Sequence, residues 1–341
     1  MSEALAHLRD ELFGHYLDMP GLTEIAVNRT NELFTKIGGV WQQHKADLTF
    51  NKLDTFSRAL ANFHGDNLSD TKPILSATLP TGERGQIVIP PACERDTMSI
   101  TLRKPSTVRI NHQAYVERGF YNRITGASKV ENYRETLSTI YRDKDFPLFM
   151  RMALQHGLTM MFVGETGSGK TTYLKSLTEF IPRDLRIITI EDNPEVLLPD
   201  HPNHVHLFYP SEAGNSESAI VTSGSLLRAC YRMNPDRILQ TEVRGGEAWD
   251  FVKICTSGHE GSITSQHSGN PYEAITGLVE RCYQNSECNN LPYSVLLSKV
   301  LNCIDVIASI EVEGDVRQIG EIYFKDVDKA AYMKRFREEI W

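Results

Sequence analysis

Long apolar runs are missing from this sequence. No stretch approaches the about 18 consecutive apolar residues that a membrane-spanning helix requires, so we predict no transmembrane segment. The opening residues Met1-Ser2-Glu3-Ala4 lack a positively charged segment followed by an apolar core, and we expect no export signal. A content of 40% hydrophobic and 23% charged residues over 341 positions is instead typical of a soluble globular protein with room for two domains.

Closely spaced cysteine pairs are absent as well. The six cysteines contain no C-x-x-C pair, the spacing of structural zinc sites and redox motifs, and they are scattered over the chain: Cys93, Cys230, Cys255, Cys282, Cys288 and Cys303. We therefore predict reduced, mostly buried thiols in a cytoplasmic protein. Of the 11 histidines, those other than His259 and His267 show no metal-ligand spacing, and we predict structural roles for them.

The chain also has no excess of positive charge. Its 36 Lys and Arg residues are outnumbered by 44 Asp and Glu residues, which gives a formal net charge of −8. Proteins that bind nucleic acid regardless of its sequence present clustered cationic side chains. The charge balance therefore argues against intrinsic nucleic-acid binding, although it leaves room for a local basic groove.

What the sequence does contain is one glycine-rich stretch in the middle of the chain. It fills every fixed position of the phosphate-binding pattern G-x-x-x-x-G-K-[ST] with Gly164, Glu165, Thr166, Gly167, Ser168, Gly169, Lys170 and Thr171. The apolar run 158–163 before it is typical of a strand, and residues 172–181 after it have helical spacing. The motif requires this order of strand, loop and helix.

The residue types in this stretch suit a nucleoside triphosphate. Glycines let the backbone wrap closely round phosphate, so that N–H groups of the loop and of the helix that opens at Thr172 point at phosphate oxygens. Lys170 would place its ammonium on the β- and γ-phosphates, and the hydroxyl of Thr171 would bind Mg²⁺. We predict no metal beyond Mg²⁺.

A carboxylate and an imidazole follow two apolar strands downstream of the loop. Glu242 ends the run 238–241, and ligands of parallel sheets bind beyond the carboxyl ends of the strands. We therefore predict that Glu242 faces the γ-phosphate and orients or deprotonates the attacking water. His267 ends the strand predicted over 262–266, where it either contacts the γ-phosphate or has a structural role.

Acidic residues follow another core strand in the same way. Glu191 and Asp192 come directly after the core strand predicted over 186–190, and we predict that they reach the metal directly or through water. Glu195 lies nearby and is a further candidate.

Apolar patterning divides the chain into two parts. Residues 1–105 are predicted to form an α+β domain with an antiparallel sheet that includes a hairpin turn at Gly38-Gly39. Residues 106–146 are polar, with helical spacing only around 133–141, and we interpret them as an interdomain linker. Residues 147–341 alternate strands and helices, the pattern of an α/β domain with a mostly parallel sheet and helices on both faces. The main predicted strands are 22–27, 32–36, 74–79, 86–89, 97–103, 158–163, 186–190, 205–208, 237–241 and 262–266, and the predicted helices are 2–16, 50–63, 223–233, 246–257 and 271–285.

Several segments together resemble a known family. In sequence order they resemble the Walker A, Asp, Walker B and His boxes of the type II/type IV secretion ATPases: Gly164–Thr172, Ile190–Asp192, Leu227–Ala248 and Gly258–His267. The segments Leu79–Arg84 and Ile100–Ser106 resemble the VirB-eleven-type traffic ATPases of type IV secretion. The resemblance covers nearly the whole chain.

This resemblance implies a RecA-like P-loop NTPase domain, preceded by a smaller PAS-like domain that caps the nucleotide. It implies a homohexameric ring at the cytoplasmic face of the bacterial inner membrane, peripherally associated, whose ATP hydrolysis drives pilus assembly and substrate translocation through domain motion. Its partners would be inner-membrane secretion-channel components and another secretion ATPase. Arg84 and Arg103 match arginines that the family directs at the γ-phosphate, and Arg228, Arg232 and Arg244 are further candidates for sensing or intersubunit contact.

Two departures from the family pattern bear on function. Thr241 stands where the family commonly has Gly before the catalytic acid, and its side chain could alter water placement. The paired-cysteine zinc element of many type II relatives is absent, which favours the type IV branch. A nucleotide-gated assembly scaffold, a DNA-translocating motor and a small-molecule kinase stay open as alternatives, as do the cargo and a swap of the N-terminal domain over a neighbouring subunit.

Overall fold

The computed structural model describes residues 2–106, 111–122, 132–210 and 219–340. The first sheet is built from the strands Leu22–Val27 (β1), Glu32–Ile37 (β2), Val40–Lys45 (β3), Ile74–Thr78 (β4), Arg84–Val88 (β5) and Ser99–Arg103 (β6). Their order across the sheet is β3-β2-β1-β6-β5-β4, and every neighbouring pair is antiparallel. The strands predicted in this part of the chain are confirmed, and so is the hairpin turn at Gly38-Gly39.

One long helix covers this sheet because its apolar residues recur on one side. Phe50–Phe63 (α3) begins after Thr49, whose side chain accepts a hydrogen bond from the backbone N–H of Lys52. Its apolar face is buried together with the first helix, Ser2–Arg9 (α1), which continues through a π-helical turn, Asp10–Gly14, into His15–Leu17 (α2). The rings of Phe13 and Phe56 lie edge to face with centroids 5.2 Å apart.

The second sheet is the mostly parallel one. Its strands are Met160–Gly164 (β7), Ile187–Glu191 (β8), His204–Phe208 (β9), Arg237–Gln240 (β10), Ile263–Gln266 (β11), Val306–Glu313 (β12) and Val316–Phe324 (β13). They lie in the order β13-β12-β7-β11-β10-β8-β9, and only β13 runs antiparallel to its neighbour. The predicted α/β fold class is therefore confirmed. The edge hairpin β12–β13 lies beyond the last predicted element.

Helices cover both faces of this sheet. The covering helices are Asn132–Arg142 (α5), Phe146–Gln155 (α6), Lys170–Leu177 (α7), Ser223–Met233 (α8), Glu247–Cys255 (α9), Pro271–Cys282 (α10), Tyr293–Cys303 (α11) and Lys325–Ile340 (α12), whereas the short helix His112–Glu117 (α4) has no buried residue. Side chains of α5, α6 and α7 are buried on one face, and side chains of α8 to α12 on the other. All six cysteines are buried and free, as predicted. Within the described ranges, no helix combines the length and the apolar character needed to cross a bilayer.

Helix α5 lies in the segment that the sequence indicated as a linker. Its side chain Leu137 is fully buried against Phe149 and Phe324, and the hydroxyl of Tyr141 donates to Asp328 Oδ2 over 2.7 Å. The helix predicted around 133–141 is thus present, and it belongs to the core of the second sheet. Residues 107–110 and 123–131 lie outside the described chain, and the domain boundaries themselves stay a prediction.

Arg186 joins the two sheets. Its guanidinium is fully buried and donates to Asn28 Oδ1 and Asn203 Oδ1, both over 2.7 Å, and to the carbonyl of Met233. The N-terminal sheet therefore rests on β9 and α8, where β5 and β6 also contact α8. A buried cation is stable only when its donors are satisfied, and here acceptors from both parts of the chain satisfy them.

Candidate nucleotide-binding site

The glycine-rich loop connects the inner strand β7 to helix α7, as predicted. Gly164 has φ +150°, and a Cβ there would lie 2.4 Å from the carbonyl oxygen of Ile310 on β12. Gly167 and Gly169 have φ +77° and +97°, so both adopt backbone conformations that other residues rarely reach. The loop is therefore a tight cradle of backbone N–H groups at the start of a helix, which is the geometry of an anion site.

Lys170 is held inside this cradle. Its ammonium donates to the carbonyls of Gly164 and Glu165 over 2.9 and 2.8 Å and lies 3.2 Å from His267 Nδ1. Burial lowers the pKa of Lys170, and the nearby carboxylate of Glu242 opposes that effect. The cation is thus placed where a phosphate could replace the two carbonyls as its partner.

A chain of polar contacts runs from Lys170 across the sheet edge. His267 Nε2 lies 3.2 Å from Glu242 Oε1, while Arg244 Nη2 donates to Glu242 Oε2 over 2.8 Å. The same Arg244 nitrogen lies 2.8 Å from Asp192 Oδ2. Strands β7, β11, β10 and β8 are neighbours in the sheet, so the residues after their carboxyl ends meet. The structure therefore brings together Lys170, Glu242, His267 and Asp192.

A cavity of about 280 Å³ lies between the loop and these groups. It is lined by Gly167, Gly169, Lys170, Thr171, Thr172, Glu195, Glu242, Ser265 and His267. Hydroxyl and carboxylate oxygens are the ligands that Mg²⁺ takes, and Thr171, Glu195 and Glu242 supply them here. The residues of this chain thus fit both a phosphate group and Mg²⁺.

A second cavity, of about 580 Å³, adjoins the same loop on its outer side. Its walls are Gly167, Ser168, Gly169, Thr172, Tyr173, Ser176, Ile310, Arg317, Gln318 and Ile319. Arg317, on β13, lies over Gly169, because a Cβ at Gly169 would be 3.4 Å from Arg317 Cδ. Sequence patterns did not predict that β13 forms one wall of this cavity. The signal for the hairpin was the two-residue turn Gly314-Asp315 between segments with Val and Ile.

Comparison with known proteins agrees with this geometry. The model of the type II/IV secretion system protein family matches residues 70–309. The chain belongs to this family. It is 42% identical over 329 residues to the type IV secretion system protein VirB11 of Brucella suis, covering 95% of this chain and 91% of that protein. It is 38% identical over 319 residues to the type IV secretion system protein PtlH of Bordetella pertussis, covering 91% and 92%.

A solved structure of this family has the same fold over its whole length. The crystal structure of the VirB11 ATPase from the Brucella suis type IV secretion system, in complex with sulphate, superposes with a TM-score of 0.90. The sequence identity is 40%, and the superposition covers 98% of each chain. The resemblance drawn from the sequence boxes is thereby confirmed.

Glu191, in the segment that resembles the family's Asp box, lies outside the phosphate cavity. Glu191 is fully buried, and its Oε2 accepts the backbone N–H groups of Glu195 and Val196 over 2.8 and 2.9 Å. Its Oε1 is bonded to Thr189 and His206. Burial raises the pKa of Glu191, but these hydrogen bonds outweigh it and lower that pKa overall. Glu191 is not among the residues that line the cavity, and its hydrogen bonds position the loop that carries Glu195.

The arginines singled out by the family resemblance are divided between two places. Arg84 and Arg103 are register partners on β5 and β6, and the Arg103 side chain is 64% exposed, 3.7 Å from Glu24. Neither lines the phosphate cavity, and in the described part of the chain no residue of the first sheet does so. The structure therefore does not show the N-terminal part capping the phosphate cavity of its own chain.

The other three candidate arginines are also separated. Arg228 donates to Asp250, and Arg232 reaches Ser76 on β4 over 3.2 Å. Of the three, Arg244 alone contacts Glu242 in the cavity, and it also contacts Asp192 beside it. The backbone carbonyl of Ile190 accepts a hydrogen bond from the hydroxyl of Thr241, the residue that replaces the usual glycine. That hydroxyl is thus used within the sheet.

Proposed function

We propose that this chain is a Mg²⁺-dependent ATPase that powers a type IV secretion machine. The observation that carries the proposal is the single cavity in which Lys170, Thr171, Glu242 and His267 face the glycine cradle at the start of α7. These are the groups that phosphoryl transfer to water needs: a cation, a metal ligand, a carboxylate near the water and a polar sensor. The VirB11 structure of Brucella suis contains sulphate, a tetrahedral oxyanion like phosphate, which supports the same chemistry here.

Each residue has a role that follows from its position. The ammonium of Lys170 exchanges its two loop carbonyls for oxygens of the β- and γ-phosphates. Thr171 holds the metal through its hydroxyl, and bound Mg²⁺ supplies positive charge that offsets the charge of the phosphates. Glu242 orients and deprotonates water, while His267 links Glu242 to Lys170 and so senses whether the γ-phosphate is present.

The cavity beside the loop is proposed to hold the nucleoside. It shares Gly167, Gly169 and Thr172 with the phosphate cavity, so a bound nucleotide could extend from one into the other. Its other walls offer the aliphatic side chains of Ile310 and Ile319 and the cation of Arg317, which suit the faces of a base.

The test is phosphate release by the full-length chain with ATP and Mg²⁺. Lys170→Gln should lower the rate by about 10²-fold or more, because it removes a preorganised cation from the developing charge. Lys334→Gln, on the exposed side of α12, is the matched control and should keep the wild-type rate. Wild-type turnover by a folded Lys170→Gln protein would refute the proposed function.

We propose further that the active assembly is a homohexameric ring at the cytoplasmic face of the bacterial inner membrane. Its partners would be secretion-channel components and another secretion ATPase, and its cycle would move the N-terminal against the C-terminal domains during pilus assembly and substrate translocation. Arg84 and Arg103 lie outside the cavity of their own chain, so a neighbouring subunit's cavity is their proposed target.

Mixing two inactive proteins tests the assignment of these arginines. A double variant, Arg84→Ala with Arg103→Ala, has an intact loop, and Lys170→Gln has intact arginines. If the arginines act on a neighbour's nucleotide, mixed rings contain some complete sites and activity returns. If they act within one chain, every site stays defective and the mixture stays inactive.

A nucleotide-gated scaffold is the second candidate. The observation in its favour is that Arg244 and His267 contact both oxygens of Glu242, so in this structure neither oxygen is reserved for water. Glu242→Gln separates the two functions in a transport assay. A scaffold would keep transport without turnover, whereas a motor would lose both.

A further inference from the structure

Three side chains with metal-binding atoms converge where the first sheet meets β9. They are Glu94, His204 and His206, and their ligand atoms all lie within 4.8 Å of one another. His204 and His206 are two residues apart on β9 and therefore point to the same face of the sheet. This cluster is separate from the phosphate cavity, whose walls contain none of the three.

The backbone fixes the position of the third member. An isolated antiparallel bridge pairs Cys93 with Leu207, and the N–H of Phe208 donates to the carbonyl of Ala92 over 3.0 Å. In an antiparallel pair of segments, the residue after Cys93 faces the residue before Leu207, so Glu94 lies opposite His206. The convergence thus follows from main-chain pairing as well as from side-chain rotamers.

Both imidazoles are oriented by groups behind them. His204 Nδ1 is hydrogen bonded to the carbonyl of His201, and His206 Nδ1 lies 2.8 Å from Thr189 Oγ1 and 3.1 Å from Glu191 Oε1. A carbonyl or carboxylate on one ring nitrogen fixes the proton there and leaves the lone pair of Nε2 for a ligand. Metal-binding histidines usually have such a partner on their second nitrogen.

One cation competes for this position. Arg29 Nη2 lies 2.9 Å from His204 Nε2 and would have to leave it when a metal binds. The guanidinium is partly exposed and keeps two further acceptors, Glu32 Oε1 at 2.7 Å and the carbonyl of Pro202 at 3.2 Å. Its displacement therefore leaves no buried charge without a partner.

We propose that Glu94, His204 and His206 form a Zn²⁺ site that fastens the segment after β5 to strand β9. Two imidazoles and one carboxylate are ligands that Zn²⁺ takes, with water in the fourth position, whereas Mg²⁺ prefers an all-oxygen set. The site joins the N-terminal part of the chain to the second sheet. Glu191 then has two functions, because it orients His206 and also holds the backbone of Glu195 at the phosphate cavity. This assignment changes the expectation that these histidines are only structural.

The experiment is calorimetric titration of ZnCl₂ into full-length, tag-free protein that has been stripped with a chelator. We expect one Zn²⁺ per chain at this site. Glu94→Gln and His204→Gln should each weaken binding by about 10-fold or more. His64→Gln removes an exposed imidazole just after α3 and should leave the affinity unchanged. Equal zinc affinity in the wild type, Glu94→Gln and His204→Gln would overturn the proposal, as would a folded wild type that takes up no zinc.

Two further variants make the result specific. Arg29→Gln should strengthen zinc binding, because it removes the cation from His204 Nε2, and a weaker affinity in this variant would contradict the assignment. Lys170→Gln should bind zinc as the wild type does, so the outcome is independent of the proposed ATPase activity. Zinc at about 100 times the wild-type dissociation constant should raise the Tm of the wild type by about 4 °C and that of Glu94→Gln by about 2 °C or less.

Discussion

Replacing Arg186 tests whether the junction between the two sheets depends on the satisfied donors of one buried cation. Burial lowers the pKa of Arg186 to about 10, so the guanidinium is still charged at neutral pH. Arg186→Met keeps a long apolar stem in the same space and removes every donor. The variant therefore isolates the hydrogen bonds from the packing.

The size of the effect follows from the acceptors left behind. Asn203 Oδ1 still accepts from Asn28 Nδ2 over 3.0 Å, so it keeps a partner. Asn28 Oδ1 and the carbonyl of Met233 lose the donors that Arg186 supplied. Each buried acceptor without a partner costs about 1–3 kcal/mol, and removing the desolvated cation offsets part of that cost. We expect the free energy of unfolding to fall by about 3 kcal/mol.

Urea unfolding followed by circular dichroism measures this loss, and amide hydrogen exchange locates it. Exchange should rise first in β1 and β6, because Asn28 directly follows β1 and Thr101 lies on β6, and both contact Arg186. Arg183→Met is the control, because the Arg183 side chain is 73% exposed and pairs with Asp200 on the surface at 3.4 Å. We expect that control to change stability by less than about 0.5 kcal/mol. An Arg186→Met protein as stable as the control would refute the reasoning.

Two further predictions concern the nucleotide site. Glu191→Gln should lower the free energy of unfolding at pH 7 by about 2 kcal/mol, because the carboxylate accepts two backbone N–H groups. Hydrogen bonds lower the pKa of Glu191 below the usual 4.5, so its stabilising contribution is present above that pH and is lost as the pH falls through the lower folded value. The gap between variant and wild type, measured by urea unfolding, should therefore close in acid, and a gap that widens would contradict this. Arg317→Ala should weaken ATP binding about 10-fold but leave tripolyphosphate binding unchanged, as measured by calorimetry. Equal losses for both ligands would place Arg317 on the phosphates instead.

Local patterns predicted most of what is local in this protein. Most strands of both sheets and the helices up to α10 that were predicted follow from apolar periodicity, and the cradle follows from three glycines at fixed spacing before Lys170. The meeting of Lys170, Glu242 and His267 was also predictable. In a parallel sheet, residues that follow neighbouring strands share one edge, whatever the lengths of the connections.

Other features depend on contacts that no local pattern encodes. Glu191 follows a core strand just as Glu242 follows its own, yet it is turned away from the cavity because Thr189, His206 and two backbone N–H groups take its oxygens. Arg317 reaches the glycine loop only because the edge strand β13 folds back beside β12.

The sequence by itself determined the class of fold, the family and the anion cradle, since each depends on residues that are adjacent in the chain or repeat with the period of a helix or strand. The tertiary structure alone decided which carboxylates face that cradle, where Arg84 and Arg103 lie, and that Glu94 meets His204 and His206. The last of these depends on pairing between residues more than 100 positions apart. Whether an ionisable side chain is free to bind a ligand depends on the donors and acceptors that folding brings to it. These neighbours are distant in the chain, so local sequence patterns do not reveal them.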